Sequence, residues 1–421
     1  MNGKPMALLV AVVWAVLLPV VPAGAHHPEP AYVPDQVVVK LAPGSGASID
    51  QINTTWATST VETVFASRGI YLLSTPQGVD PEGLAEEMED DPRLAYAEPN
   101  FHSNGAEFQS HSIYAWGDLL TARSSTDPTL FAGQYAVDML GLSGGLPTGD
   151  GVVAAVLDTG VQATHPLLAG RLTAARYDFI DDDPDPDDAG NGRDDNGDGL
   201  IDEAVGHGTH IASLIGLVAP DAQVMPLRVL NSDGEGNVFV IAEAIEFALE
   251  NGAHVLSLSL GSTNESELLE EVLEEIAEDD LVVVAAAGNL DSTQPFYPAA
   301  TEDVLGVTAI GPGYVRSPFS NHGSWVDLAV PGEDIYGAYP NDQYAWWGGT
   351  SMSVPLVAGQ AAVLLGVDSD LEPEDVSYLI TSTALSVDPY NPDHVGLLGR
   401  GVPDIAGSVT ALATVDLDEL G

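Results

Sequence analysis

The chain of 421 residues contains no cysteine. No disulfide can brace it, so its stability must come from a packed core or from bound ions. Positive charge is also scarce: 11 Lys and Arg stand against 63 Asp and Glu, a net charge of −52, and the lysines are Lys4 and Lys40 alone. Such a surface repels phosphate backbones, which excludes a nucleic-acid partner. It also repels itself, most strongly where screening is weak, so adaptation to high salt is expected. Aromatic residues make up only 7%, yet 45% of the chain is hydrophobic. The acidity therefore belongs to a globular protein and not to a disordered one.

Long apolar runs are missing except at the N-terminus, where Met6 to Leu18 follows Lys4 and precedes Ala23-Gly24-Ala25. A basic end, an apolar middle and a small-residue cleavage site make a secretory signal. Pro19 and Pro22 interrupt the stretch, and no other segment is long enough to span a bilayer. Residues 1–25 are expected to be a signal peptide, the protein to be secreted, and no membrane attachment to remain after cleavage.

Residues 26–34, rich in proline, read as a linker, and a small unit follows. Gln36–Leu41, Gly69–Leu73 and Leu94–Pro99 are strand candidates, and Leu84, Ala85 and Met88 fall on one face of a helix between Asp80 and Asp90. Strands around a helix in so short a span predict a small α+β domain over residues 32–101. Residues 102–127 are polar and expected to be a linker. From Gly151 the pattern becomes α/β. The runs 152–157, 254–260 and 281–287 are apolar on both faces, as in a covered parallel sheet. Phe239–Glu250 and Glu265–Glu278 carry helical spacing between them.

Ligands of open α/β sheets bind beyond the carboxyl ends of the strands. Here Leu157 runs into Asp158, and Ala287 into Gly288 and Asn289. His207 stands between Gly206 and Gly208 at the head of an apolar run, and Ser351 follows Gly348 and Gly349 before another, Val354–Leu365. Pro355 fits the first turn of that second helix, where a missing N–H costs nothing. A serine needs a base, imidazole suits that work, a carboxylate holds the imidazole's tautomer, and an amide can donate to a developing oxyanion. Each residue also has a plainer reading. Asp158 could cap a helix, Asn289 could sit in a turn, Ser351 could be an N-cap, and His207 with His210 could bind zinc, although no His-Glu-x-x-His pattern is present.

Together the segments closely resemble the subtilisin-like serine proteases, the subtilase family. Ala155-Val156-Leu157-Asp158-Thr159-Gly160-Val161, Gly206-His207-Gly208-Thr209-His210, Ala287-Gly288-Asn289 and Gly349-Thr350-Ser351-Met352-Ser353-Val354-Pro355 carry the resemblance, in the order Asp, His, Ser. It extends from about Phe131 to about Leu412. Ser213 and Val330 depart from the usual Gly and Ala without touching the chemistry. The resemblance implies a mostly parallel sheet with helices on both faces over residues 128–415. It also implies Ser351 as nucleophile, His207 as base, Asp158 as its orienter, and Asn289 with the Ser351 N–H as the oxyanion hole. Ser259, Leu260, Gly261, Ala286, Ala287 and Gly288 would line the substrate cleft. The expected substrates are polypeptides, hydrolysed by a monomer without an organic cofactor. A catalytically inactive, peptide-binding relative is the alternative.

The small unit resembles an inhibitor-type subtilase propeptide, most clearly at Leu94–Asn100. That implies an intramolecular inhibitor removed within residues 102–127. Between Asp181 and Glu203 lie eleven acids and one arginine. Asp194, Asn196, Asp198, Leu200 and Asp202 offer oxygen ligands at alternate positions around Gly199, as in a calcium loop, but Val205 stands where the closing Glu belongs. Calcium is expected there, with its ligands completed from elsewhere.

Overall fold

Alternation along Val37, Val38 and Val39 sets the architecture of the small unit. The computed structural model describes residues 31–108, 122–142, 144–278 and 281–414. The expected signal peptide lies outside the described residues, as do residues 109–121 of the expected linker. Strand β1 (Tyr32–Leu41) is followed by α1 (Ile49–Trp56), β2 (Ser59–Glu62), β3 (Ile70–Ser74), α2 (Pro81–Glu89) and β4 (Leu94–Phe101). The four strands form an antiparallel sheet in the order β2-β3-β1-β4. Val37 and Val39 pack on Ile52 of α1 and on Leu84, Ala85 and Met88 of α2. Val38, Ile70 and Leu72, on the opposite face, join the core of the large domain. Successive strand residues point to opposite faces, so one strand serves both cores.

Beyond β4 the chain forms the two-residue strand β5 (Asn104–Gly105). It resumes at β6 (Arg123–Ser125) and α3 (Tyr135–Met139) before the large sheet begins with β7 (Val153–Asp158) and β8 (Tyr177–Asp178). There follow α4 (His207–Val218), β9 (Gln223–Arg228), α5 (Val238–Glu250), β10 (Val255–Leu258), β11 (Leu260–Gly261), α6 (Glu267–Glu278), β12 (Val282–Ala286), β13 (Val304–Ile310) and β14 (Leu328–Pro331). The hairpin β15 (Ile335–Tyr339) and β16 (Gln343–Trp347) leads into α7 (Thr350–Leu365), α8 (Pro373–Ser382) and α9 (Ile405–Leu412).

Seven strands form the large sheet in the order β14-β13-β12-β10-β7-β9-β8, and every pairing is parallel. Ala154 and Val156 of β7 face a core built with α4, α7, α8 and α9, while Ala155 and Leu157 face one built with α5 and α6. This is the subtilisin-like layering of helices on both faces of a parallel sheet. Both faces are covered, which is why these strands read as unbroken apolar runs. The chain reaches β9 on one side of β7 and crosses to β10 on the other. The crevice at that reversal is where such sheets bind ligands.

Two expectations need correction. The apolar run 254–260 is two strands, because the chain leaves the parallel sheet at Ser259 and β11 turns to pair with β5. The serine helix starts at Thr350, so Pro355 lies inside it and not in its first turn. A proline there deprives the Ser351 carbonyl of its helical partner. The Ser259 hydroxyl takes the vacant place, donating to Ser351 O at 3.0 Å.

Candidate active site

Three loop ends meet at the carboxyl edge of the sheet. Asp158 closes β7, and its carbonyl accepts from Val229 N at 2.9 Å, which ties it to the next strand. Its Oδ1 accepts from Thr159 N at 2.8 Å and lies 2.7 Å from Nδ1 of His207. His207 is the first residue of α4, after Gly206 in the left-handed region at φ 96°. The helix can enter so close to β7 because residue 208 is glycine: a Cβ there would overlap the carbonyl of Gly160. Gly208 N then donates to Thr159 Oγ1 at 3.0 Å.

A second buried carboxylate holds this corner. Asp188 is 3% exposed and accepts from Gly206 N (2.9 Å), Thr209 N (3.0 Å), Thr209 Oγ1 (2.6 Å) and Thr159 Oγ1 (3.2 Å). It thus serves as the cap that α4 otherwise lacks, with negative charge at the helix N-terminus. Burial pushes its carboxyl up to about 6, against the pull of those bonds.

Ser351 lies in the first turn of α7, where backbone N–H groups lack helical partners. Asn289, just past β12 and Gly288, accepts from Thr350 N at 2.9 Å through Oδ1, leaving its amide nitrogen aimed at the Ser351 side. Asn321 braces that turn: its Nδ2 donates to Ala287 O at 2.8 Å, and its Oδ1 accepts from Leu290 N at 3.0 Å.

The centre is filled by the chain itself. Residues 102–106 lie between Gly234–Asn237 on one side and Ser259–Gly261 on the other. Strand β5 pairs antiparallel with β11, Leu260 opposite Gly105 and Gly261 opposite Asn104. Ser103 N and Gly105 N donate to the carbonyls of Gly236 (3.1 Å) and Gly234 (2.9 Å), and Ala106 N donates to Ser259 O (3.3 Å). The next side chain, Glu107, enters the site. Its Oε2 accepts from Ser351 Oγ at 2.5 Å and lies 3.0 Å from His207 Nε2. Its Oε1 accepts from Asn289 Nδ2 at 3.1 Å and from Ser351 N at 3.3 Å. Phe108 packs edge-on against both His207 and Trp347, sealing the centre.

Burial alone would lower the His207 imidazole. The charge and hydrogen bond of Asp158, joined by those of Glu107, override it and push the ring up to about 10. His210 goes the other way, down to about 3, through burial first and His207 second. Its Nε2 lies 3.2 Å from the carbonyls of both Ile335 and Ala345, so it is a neutral strut between α4 and the β15–β16 hairpin and no partner of His207 in a zinc site.

A model of the subtilase family matches residues 149–407, most of the chain. The chain belongs to the subtilase family. Residues 20–100 match the fervidolysin N-terminal prodomain, so this subtilase carries a prodomain. It is 35% identical over 293 residues to a thermophilic serine proteinase of Bacillus sp. (strain AK1), covering 67% of this chain and 66% of that relative. Thermitase of Thermoactinomyces vulgaris is 39% identical over 226 residues, covering 51% of this chain and 75% of thermitase. Fervidolysin of Fervidobacterium pennivorans, a keratinolytic enzyme related to subtilisin, has the same fold, with a TM-score of 0.71 at 22% identity. That match covers 90% of this subtilase and 61% of fervidolysin.

The subtilase thus gathers Asp158, His207, Asn289 and Ser351 at one point, with Ser259, Leu260 and Gly261 forming one wall of the occupied cleft. Ala286 and Ala287 are buried, and Gly288 N donates to Thr350 Oγ1 at 3.1 Å. The expected metal ligands are not brought together. Asp194 accepts from Gly199 N, Asn196 from Asp198 N, Asp198 from Leu200 N, and Asp202 from Asn191 N and Gly192 N. Among the described residues no group of three acidic or histidine side chains is placed to hold a metal. Asp188 and Glu107 were not singled out by their residue patterns. The first is one acid among eleven, and the second has no motif around it.

Proposed function

We propose that this subtilase is the precursor of a secreted serine endopeptidase that acts as a monomer on polypeptides. One observation carries the reading: four donors from Ser351, Asn289 and His207 converge on a single carboxylate, as they would on the oxygens of a reacting acyl group. In this proposal Ser351 Oγ attacks the peptide carbonyl while His207 takes its proton, then returns it to the leaving amine. Asp158 keeps the His207 proton on Nδ1, facing Oδ1, so that Nε2 is free to act as base. Asn289 Nδ2 and the Ser351 N–H receive the oxyanion.

Ser351→Ala tests it. Casein hydrolysis by Ser351→Ala protein matured in trans by wild-type enzyme and purified from it should fall by about 2 × 10⁶ relative to matured wild type, the loss typical of this triad, and labelling by a serine-directed phosphonate should vanish. A matured wild-type protein that binds peptides but neither cuts casein nor takes the label is an inactive binding relative, and the proposal fails.

Residues 1–25 as signal peptide, 32–101 as propeptide, 102–127 as the segment bearing the maturation site and 128–415 as the peptidase domain complete the proposal. The occupied cleft supports autoinhibition by the propeptide. The basic-apolar-small pattern at the N-terminus supports export, and among the described residues no helix is long and apolar enough to cross a membrane. Calcium at Asp194–Asp202 is supported by the spacing of the oxygens and not by any grouping of acidic side chains among the described residues. Titrating calcium into chelated protein decides it: a raised melting temperature supports the site, and an unchanged one removes it.

A further inference from the structure

The ladder between the cleft walls ends at Ala106, and the next group to meet Ser351 is the side chain of Glu107. This carboxylate occupies both halves of the catalytic machinery at once. Oε1 takes the two donors proposed for the oxyanion, and Oε2 takes the hydroxyl and the imidazole that would exchange the proton. Glu107 is 2% exposed, and its charge is balanced by this set of donors and by the imidazole it helps to keep protonated. Its fit is close: a Cβ on Gly349 would overlap Oε1, so the glycine that opens the serine segment makes room for the carboxylate. A base that already holds its proton and a hydroxyl already donating to an anion cannot begin an attack.

We propose that Glu107 is a built-in stopper, whose side chain withholds the adjacent Ala106–Glu107 peptide bond from Ser351 and so sets the latency of the precursor. The inference rests on the serine-protease reading above. When the side chain swings out, His207 loses Glu107 as a partner and gives its Nε2 proton to solvent, and the Ala106 carbonyl can take the place of Oε1 at Asn289 Nδ2 and Ser351 N. Ser351 Oγ then bonds to the Ala106 carbonyl carbon and its proton passes to His207. The C–N bond breaks as His207 gives that proton to the Glu107 nitrogen, leaving Ala106 as an ester on Ser351. One water hydrolyses the ester, freeing the Ala106 carboxylate and restoring the Ser351 hydroxyl. Glu107 departs as a new N-terminus and carries the stopper with it, so opening is irreversible.

Full-length wild type, Glu107→Gln and Glu107→Ala are compared for the rate of self-cleavage, the N-terminus produced and phosphonate labelling of the intact precursor. Glu107→Ala should self-cleave about ten- to a hundredfold faster, the span of one lost hydrogen bond to a charged group. Its intact precursor should take the label, and the wild-type product should begin at residue 107. Glu107→Gln keeps the shape without the charge and should fall between, which preserves the comparison if Glu107→Ala folds poorly. Self-cleavage no faster than wild type in Glu107→Gln and Glu107→Ala overturns the stopper, and a wild-type product beginning elsewhere overturns the bond. If fully matured wild type refuses the phosphonate, the protease reading fails and the stopper falls with it. If matured wild type takes the label and the variants gain nothing, only the stopper is lost.

Discussion

Asp188 Oδ2 accepts hydrogen bonds from both the backbone N–H and the hydroxyl of Thr209, at 3.0 and 2.6 Å. Two residues before Thr209 stands His207, so the acid fixes the turn from which the proposed base projects. Through Oδ1 the same carboxylate reaches Gly206 N and Thr159 Oγ1, next to Asp158. It therefore sets the helix that offers the imidazole against the strand that orients it.

Replacing Asp188 by Ala leaves those buried donors without an acceptor. A lost cap costs about 0.5–2 kcal/mol and a lost bond to a charged group about 1.5–3 kcal/mol, not additively. Asp188→Ala should destabilise the protein by at least about 2 kcal/mol. It should also lower kcat by about ten- to a hundredfold through misplacement of His207. The cleft walls do not depend on Asp188, so KM should change little. Urea unfolding and steady-state kinetics check this, and a full kcat in a destabilised variant would assign Asp188 to stability alone.

The prodomain dock should weaken as pH rises. Glu98, on the prodomain, accepts from Ser266 Oγ and Glu267 N at 2.8 Å each and from Leu268 N at 3.2 Å, at the start of α6. Burial raises its carboxyl to about 7 despite those bonds. Released into water, the group returns to about 4.3. The docked state therefore holds a proton that the released state gives up between those values. Docking is fully favoured below the lower value and loses that contribution as pH climbs through 7. Glu243, raised to about 7 by burial and by the prodomain's Glu62, works in the same direction. After self-cleavage the prodomain should stay bound on gel filtration at pH 5 and separate at pH 8. Glu98→Gln should shrink that difference, and equal retention at both values would refute it.

How much of this was legible in the residues depends on how local each feature is. The strands at 152–157 and 281–287 were readable because two covered faces leave no polar position in either. Asp158, His207, Asn289 and Ser351 were readable because each sits in a short segment of its own, with glycines where backbones approach. The start of α7 was misplaced because Gly349-Thr350-Ser351 has no apolar period, and the rule for Pro355 assumed that its lost bond had no substitute. Ser259, remote in sequence, supplies one. Glu107 was invisible for a related reason. Its role comes from the register of β5 on β11, a pairing between residues more than a hundred positions apart that no local pattern encodes. Asp188 hides among acids that look alike until the fold buries one of them.

Arg228 offers a test of the sheet's acidic edge. It is 6% exposed and donates to Asp178 Oδ2 and Asp181 Oδ2, both at 2.7 Å. Asp178 is 2% exposed, so removing the guanidinium strands a buried carboxylate. Arg228→Ala should cost about 3–5 kcal/mol, the usual penalty for breaking a buried pair from one side. Half-buried Arg176, whose nearest contact to the exposed Asp185 is 3.9 Å, should cost under about 1 kcal/mol when replaced by Ala. Urea titrations of both in the Ser351→Ala background check the ratio, and equal losses would mean that the Arg228 pair is not the restraint its burial suggests.

Salt should stabilise this protein, and the sign follows from counting. Lys40, Arg68, Arg93, Arg123, Arg176, Arg228 and Arg316 already lie beside carboxylates. Screening weakens those few attractions, an effect of at most about 1 kcal/mol for each exposed pair. It also weakens the mutual repulsion of a chain whose net charge is −52. The excess of acids is several times larger than the set of pairs, so relief of repulsion wins. Raising NaCl from about 10 mM to about 1 M shortens the Debye length from roughly 30 to 3 Å. Over that range the melting temperature of the Ser351→Ala precursor should climb steadily, with most of the gain at the low end, where screening changes most. The prodomain is acidic like the domain it covers, so its release after self-cleavage should slow over the same range. A melting temperature flat from low to high salt would mean that the acids are spaced widely enough for water alone to screen them, and the expected adaptation to high salt would be wrong.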